Sequence, residues 1–332
     1  MISLRRLHKN SLTAERIYNA TVRYFSIQSA NPSPDATPSS SQYDELINAA
    51  GSKRDFAAVR DLLSERLIHG CFATNKTFNF IAKDVSVLDD LLQNLADLDD
   101  WFTRKHAHDA LVAQLAKLCR TEEALRVAET MARKNYGTTI ATFNSILTAL
   151  ARKKEISASW RVIELMRACK VRPSVASFNY IITSSCFRGD VRSTADALVK
   201  MEEEGLKADV RTYDALVLGA CRAGKVDAAL AMMRRMVEDG VPAIYSTYVH
   251  IIKEMVRCGY YAQAVEFVMI FAGRDEKLDA ENFRYLIKRL KIRKRIEEAK
   301  LVVEEMVKRG LKIDDGLEDL SQNSKSEECD NI

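Results

Sequence analysis

Proline is scarce in this chain of 332 residues: only five occur, and Pro32, Pro34 and Pro38 share one short stretch near the N-terminus. The other two, Pro173 and Pro242, stand just before recurring motifs, where a helix would have to stop. Long apolar runs are missing as well. Even Phe267-Val-Met-Ile-Phe-Ala272 falls far short of the ~20 residues needed to cross a bilayer, so no membrane partner is expected. The seven cysteines include no Cys-x-x-Cys pair and no metal spacing. They read as buried free thiols of a reducing compartment, with Cys186 and Cys221 in equivalent places 35 residues apart. Catalytic signatures are also lacking. There is no Gly-rich phosphate loop, no nucleophile elbow, and no His-x-Glu with Pro-Cys-x-x-Cys of the zinc deaminases. His106 and His108 form the one close histidine pair, and a third metal ligand is absent. Asp99-Asp100 and Glu202-Glu203-Glu204 read as solvated faces. The expectation is a protein that is no enzyme and uses no cofactor and no metal.

What the chain has instead is a period. Five segments open 35 residues apart, as Ile140-Ala-Thr-Phe-Asn144, Val175-Ala-Ser-Phe-Asn179, Val210-Arg-Thr-Tyr-Asp214, Tyr245-Ser-Thr-Tyr-Val249 and Ala280-Glu-Asn-Phe-Arg284. A unit of this size cannot bury its own apolar face and must stack on a neighbour. In Val210–Ile244, Tyr213, Leu216, Val217 and Ala220 recur at helical spacing, and Gly224 ends that helix. A second helix follows with Ala229, Leu230, Met233 and Met236 as its stripe, stopped by Gly240 and Pro242. Gly189, Gly224 and Gly259 share the place between helices, and Gly205, Gly240 and Gly310 the terminal one. Met131, Met166, Met201, Met236 and Met306 share one place on the second helix and are expected in the core. Further units fit at Lys105–Thr139 and Ser40–Thr74; Asn75–Arg104 is only 30 residues long and is expected to be an irregular helical pair.

Charge is unevenly spread. The whole chain carries +4, residues 1–25 carry +4, the tail 315–332 carries −5, and the middle therefore carries +5. Residues 1–25 are Arg-rich, acid-poor and amphipathic, as an organellar targeting peptide is, with Arg23-Tyr-Phe-Ser26 resembling a mitochondrial processing site cut after Phe25. A mitochondrial address is expected, with the chloroplast as the rival. Residues 26–39 read as a flexible Pro/Ser-rich linker, 40–314 as the repeat array, and 315–332 as an acidic disordered tail.

The openings, the period and the closings Val171-Arg-Pro-Ser174, Leu206-Lys-Ala-Asp209 and Leu311-Lys-Ile-Asp314 resemble those of pentatricopeptide repeat (PPR) proteins. Arg222-Ala-Gly-Lys-Val-Asp-Ala-Ala229 is close to that family's consensus. Tetratricopeptide repeats use 34 residues and a Trp-Leu-Gly/Tyr signature absent here. Uniform units resemble the P class. The resemblance implies an all-α, right-handed α-solenoid of about eight stacked antiparallel helix pairs, the second irregular. It also implies single-stranded RNA binding in a plant or other eukaryotic organelle, in transcript stabilisation, processing or translation.

In the family, one nucleotide is read by the residue after the opening aromatic together with the last residue of the unit. Carried over, the reading pairs are Asn144 with Ser174, leaning to cytosine, and Asn179 with Asp209, leaning to uracil. Asp109 with Thr139, Asp214 with Ile244, Val249 with Asp279 and Arg284 with Asp314 depart from the pattern, so the expected preference for pyrimidines is weak. Phosphate contacts are expected from a basic stripe near the ends of the first helices: Lys117, Arg152, Lys153, Lys154, Arg188, Arg222, Arg257, Arg293 and Lys294, with Arg295 nearby. The plainer reading of the same cations is that they offset helix dipoles. Few competent pairs and an acidic tail also fit a second function, a structural PPR subunit of the mitochondrial ribosome or a partner of RNA-processing proteins.

Overall fold

The structure is a computed structural model that describes residues 38–273 and 275–312. The targeting peptide, most of the linker and the acidic tail expected from the sequence lie outside the described residues. All regular structure among the described residues is helical: fifteen α-helices and two short 3-10 helices. The described residues fall in two compact bodies, 38–153 with 157–173, and 154–156 with 174–312.

The first body holds α1 (Ser40–Ser52), α2 (Phe56–Ile68), two 3-10 turns (Asn79–Ala82 and Val85–Val87), α3 (Leu88–Ala96), α4 (Trp101–Lys117), α5 (Thr121–Arg133), α6 (Ile140–Lys153) and nearly all of α7 (Ile156–Ala168). The second holds α8 (Val175–Arg188), α9 (Val191–Glu203), α10 (Val210–Arg222), α11 (Val226–Glu238), α12 (Tyr245–Cys258), α13 (Tyr261–Phe271), α14 (Glu276–Ile292) and α15 (Ile296–Lys308). Each body is a stack of helix pairs in the solenoid manner. In the second, α10 lies between α8 and α12, and α12 packs on α14.

One unit shows why the residues fold this way. Asp209 caps α10 through a hydrogen bond from Thr212 N–H at 2.9 Å, which satisfies one of the free amides at a helix start. Tyr213, Val217 and Cys221 of α10 meet Val226, Ala229, Met233 and Met236 of α11 along one buried face. The recurring aromatics Phe143, Phe178, Tyr213, Tyr248 and Phe283 are 0–6% exposed, and the five recurring methionines 0–2%, so the methionine stripe is core as expected.

The turn between paired helices repeats one backbone state. Cys119, Lys154, Gly189, Gly224, Gly259 and Lys294 lie 35 residues apart, and all have φ between +57° and +82°. Arg54, at the same place in the first unit, has φ +60°. Packing imposes this left-handed turn whether or not glycine is there to take it at low cost.

One expectation holds and one needs correction. Asn75–Arg104 is the irregular unit expected: two 3-10 turns stand in place of its first helix, and α3 follows. Asn48 of α1 takes the Phe80 N–H at 2.9 Å and donates to the Lys76 carbonyl at 2.9 Å, and Asp84 takes the Ser86 N–H at 2.9 Å. Side chains that capture backbone groups in this way compete with helix. The helices expected to open at Lys105 and Ala280 begin four residues earlier, because Asp100 caps Trp101 onward and Asp275 caps Glu276 onward.

Candidate nucleic-acid interface

The fifth residue of a unit does not stand alone. In four units its side chain accepts from the hydroxyl at the third place of the following unit, and the contact occurs in both bodies. In the first body Asp44 accepts from Thr77 at 2.6 Å and Asp109 from Thr142 at 2.5 Å. In the second, Asn179 Oδ1 accepts from Thr212 at 2.7 Å, and Asp214 from Thr247 at 2.8 Å. The third-place hydroxyls went unrecognised in the sequence, although Thr142, Ser177, Thr212 and Thr247 stand in every one of the openings quoted for those units. They are buried, and in three of the units the same group caps its own helix through the closing residue.

Asn179 and Asp209 form a joined pair. Asn179 Nδ2 donates to Asp209 Oδ1 at 2.9 Å, and that oxygen also accepts from Thr212 N–H. Asn179 is only 6% exposed. An amide offers two donors and two lone pairs, so one donor and one lone pair of Asn179 remain. Burial alone would raise the Asp209 pKa, but hydrogen bonds from the Thr212 amide, Asn179 and the Thr212 hydroxyl outweigh it and hold the group below the usual carboxylate range. Asp209 is therefore an anion at neutral pH. Its Oδ2 takes part in none of these three bonds, the Arg211 amide also bonds to the carboxylate, and Asp209 is partly exposed.

Asn144 lies in the first body and Ser174 in the second. Asn144 is half-buried, and Ser174 is the cap of α8, exchanging hydrogen bonds with Ser177. The remaining units offer less. Ile244 caps nothing. Asp279 is turned inward, its Oδ2 accepting from Gly273 N–H at 2.6 Å. Arg284 donates to the Lys312 carbonyl at 3.1 Å, and Asp314 lies outside the described residues.

The basic stripe is exposed at the ends of the first helices, and much of it is already engaged. In the first body Lys117 is exposed, Arg152 donates to the Ala116 carbonyl at 3.3 Å, and Lys153 to Thr121 at 2.9 Å. In the second, Arg188 donates to the Lys154 carbonyl at 3.2 Å and Arg222 to the Phe187 carbonyl at 3.2 Å. These arginines neutralise the carbonyl ends of preceding helices, which is the dipole role. Phe187 stands in the stripe, with the Lys154 ammonium 4.4 Å and the Arg222 guanidinium 4.2 Å from its ring centre. Arg257 is neutralised by Glu254, with contacts at 2.5 and 2.8 Å. Arg293 and Lys294 are exposed.

Comparison with known proteins decides the family. Residues 126–186 match the pentatricopeptide repeat domain and residues 204–237 the PPR repeat. A mitochondrial pentatricopeptide repeat-containing protein of Arabidopsis thaliana is 43% identical over 308 residues, covering 90% of this chain and 88% of its own. A second from the same plant is 58% identical over 287 residues, covering 86% and 82%. The chain belongs to the pentatricopeptide repeat family. Both relatives are mitochondrial by name, and this PPR protein is mitochondrial too, rather than of the chloroplast. Among solved structures, the PPR protein PPR10 in complex with an 18-nucleotide psaJ RNA element is 17% identical with a TM-score of 0.48. It matches 91% of this chain, which spans 42% of that one.

The histidine pair of this PPR chain is explained by packing. His108 occupies the aromatic place, is 1% exposed, and has its Nδ1 2.7 Å from the Arg104 carbonyl. His106 lies tilted against Phe102, with ring centres 4.1 Å apart. No group of three metal-binding side chains occurs among the described residues.

Proposed function

We propose that this PPR protein is a single-stranded RNA-binding adaptor acting in mitochondrial transcript stabilisation, processing or translation, and not a catalyst. The observation that carries the reading is the joined Asn179–Asp209 pair. One carboxylate oxygen is spent on fixing the pair, and the other, Oδ2, takes no part in that and is the one offered to a ligand. An acceptor-only group in that place favours a base whose pairing edge donates, such as the N3–H of uracil, over the bare N3 of cytosine. At Ser174 a neutral hydroxyl can donate, which suits cytosine. Lys117, Arg152, Lys153, Lys154, Arg188, Arg222, Arg293 and Lys294 supply the field for the phosphates, with Arg257 contributing least because of Glu254. First helices that begin at Ile140, Val175, Val210 and Tyr245 support the P class. We propose in addition that residues 1–25 are removed on import.

Purified 26–332 is expected to bind pyrimidine-rich single strands with an affinity that falls as salt rises. Asp209→Ser should shift preference at one base from uracil toward cytosine by about 1–3 kcal/mol, or roughly 5- to 150-fold. Binding that ignores salt, or a preference unmoved by Asp209→Ser and Asn179→Ala together, would refute the reading.

A second reading follows from Ile244, Val249 and the inward Asp279. Two readers give about 2–6 kcal/mol of discrimination, too little to select one transcript. Such a chain suits a structural subunit of the mitochondrial ribosome. Co-sedimentation with ribosomal particles that survives RNase treatment would favour that role, and release by RNase the first.

A further inference from the structure

At the C-terminal ends of α12 and α14 lies a hollow of about 290 Å³, lined by Lys253, Val256, Arg257, Arg289, Ile292 and Arg293. Four of its six lining residues are cations. Arg257 is satisfied by Glu254, and the neighbouring Arg295, Lys300 and Arg309 pair with Glu298, Glu297 and Glu305. Lys253, Arg289 and Arg293 have no carboxylate within ion-pair distance among the described residues. Three uncompensated cations over an apolar floor, with Ile292 63% exposed, form a site for an acidic ligand that also has apolar side chains.

The chain supplies such a ligand. Beyond Lys312 come twenty residues whose last eighteen carry −5, ending in Glu327-Glu-Cys-Asp-Asn-Ile332. Their starting point is close to the hollow. The Lys312 carbonyl is hydrogen-bonded to Arg284, nine residues before Arg293 on the same helix, or about 13 Å along its axis. Fifteen residues separate Lys312 from Glu327 and reach up to about 50 Å when extended.

We propose that the hollow formed by Lys253, Arg289 and Arg293 is the docking site of the chain's own acidic segment, Glu327, Glu328 and Asp330. The tail is an intramolecular stand-in for an anionic partner. A tethered segment acts at an effective concentration of about millimolar, so even a weak contact keeps the hollow occupied. Its competition with RNA rests on the function proposed above; the docking does not.

Zero-length carbodiimide coupling of the full chain tests the docking, since it joins a lysine only to a carboxylate in contact with it. An intramolecular link from Lys253 to Glu327, Glu328 or Asp330 is expected, identified by mass spectrometry of mixed light and heavy-isotope chains. It should fall at least fivefold in Arg289→Gln/Arg293→Gln, which keeps Lys253, and equally in the unaltered chain between 50 and 500 mM salt. Links absent at Lys253, spread evenly over Lys288, Lys291 and Lys294, or formed only between chains would overturn the proposal. Oligouridine separates the two readings. Bound oligouridine that leaves the link intact refutes the competition. A chain that binds no oligouridine and keeps the link refutes the RNA reading and upholds the docking.

Discussion

The second body repeats its unit with little change from α8 to α12, whereas the first body opens on a unit that obeys the same register with different chemistry. In α7, α9, α11 and α15 the place on the second helix that faces the core is methionine: Met166, Met201, Met236 and Met306. In α2 that place is Arg66, which is 1% exposed. It donates to Asp44 at 2.8 Å, to Thr77 at 3.1 Å and to the Ser40 carbonyl at 3.1 Å. Asp44 is the fifth residue of its unit, and its bond to Thr77 is the same contact that Asn179 makes to Thr212. The lesson is that the hydroxyl contact between units survives when the core beside it turns ionic. A buried ion pair confers less stability than a fitted apolar side chain of the same volume, so the first unit is specified more by geometry than by strength.

The comparison breaks hardest at Arg66. Arg66→Ala leaves Asp44 buried without its cation, and urea unfolding should show a loss of about 3–5 kcal/mol confined to the first body. The double change Arg66→Met with Asp44→Asn brings the unit to the methionine pattern and is expected to be neutral or stabilising. A double variant as unstable as the single would show that the ion pair itself holds the fold.

The next effect separates the two bodies by pH. Burial, the largest cause, depresses the His108 pKa, and the hydrogen bond to the Arg104 carbonyl opposes it only in part. The unfolded chain therefore takes up a proton near its ordinary pKa of 6.5 while the folded one does not. Stability contributed by neutral His108 is present above that pKa and is lost as pH falls through it, by up to about 1.4 kcal/mol per pH unit. His108→Phe should flatten this slope in the first body, leaving a smaller one from His106, whose pKa burial also lowers. An unchanged slope in denaturant midpoints between pH 5 and 6.5 would contradict the assignment.

The smallest effect is at the left-handed turns. Gly189→Ala, at φ +71° with open space around the added methyl, should destabilise the second body by about 1 kcal/mol through backbone strain alone. Cys119→Gly, at φ +58°, should stabilise the first body by a similar amount. Thermal melts showing both changes with the same sign would mean that the turn is not set by packing.

Much of this was legible in the chain. A 35-residue period, the aromatic and methionine stripes and the glycine turns define helix pairs that must stack, and mitochondrial PPR relatives agree with the basic N-terminus. The reading pairs could be placed by register, but not the state of their atoms. Nothing in Asn179 or Asp209 taken separately says that they bond to each other, or that Thr212 from the next unit takes a lone pair of the amide. The early starts of α4 and α14 were missed because Asp100 and Asp275 are caps only when the following residues find a face to bury.

Periodicity, stop signals and the identity of each unit's fifth and last residues came from the sequence by itself, because spacing along a helix fixes which side chains share a face. Which oxygen of Asp209 is spent, which cations already serve a neighbouring carbonyl, and which three remain uncompensated beside Ile292 were decided only by the tertiary structure. Those are distances between residues some 30 or more positions apart, and hydrogen bonds and ion pairs exist only where folding brings their partners within reach.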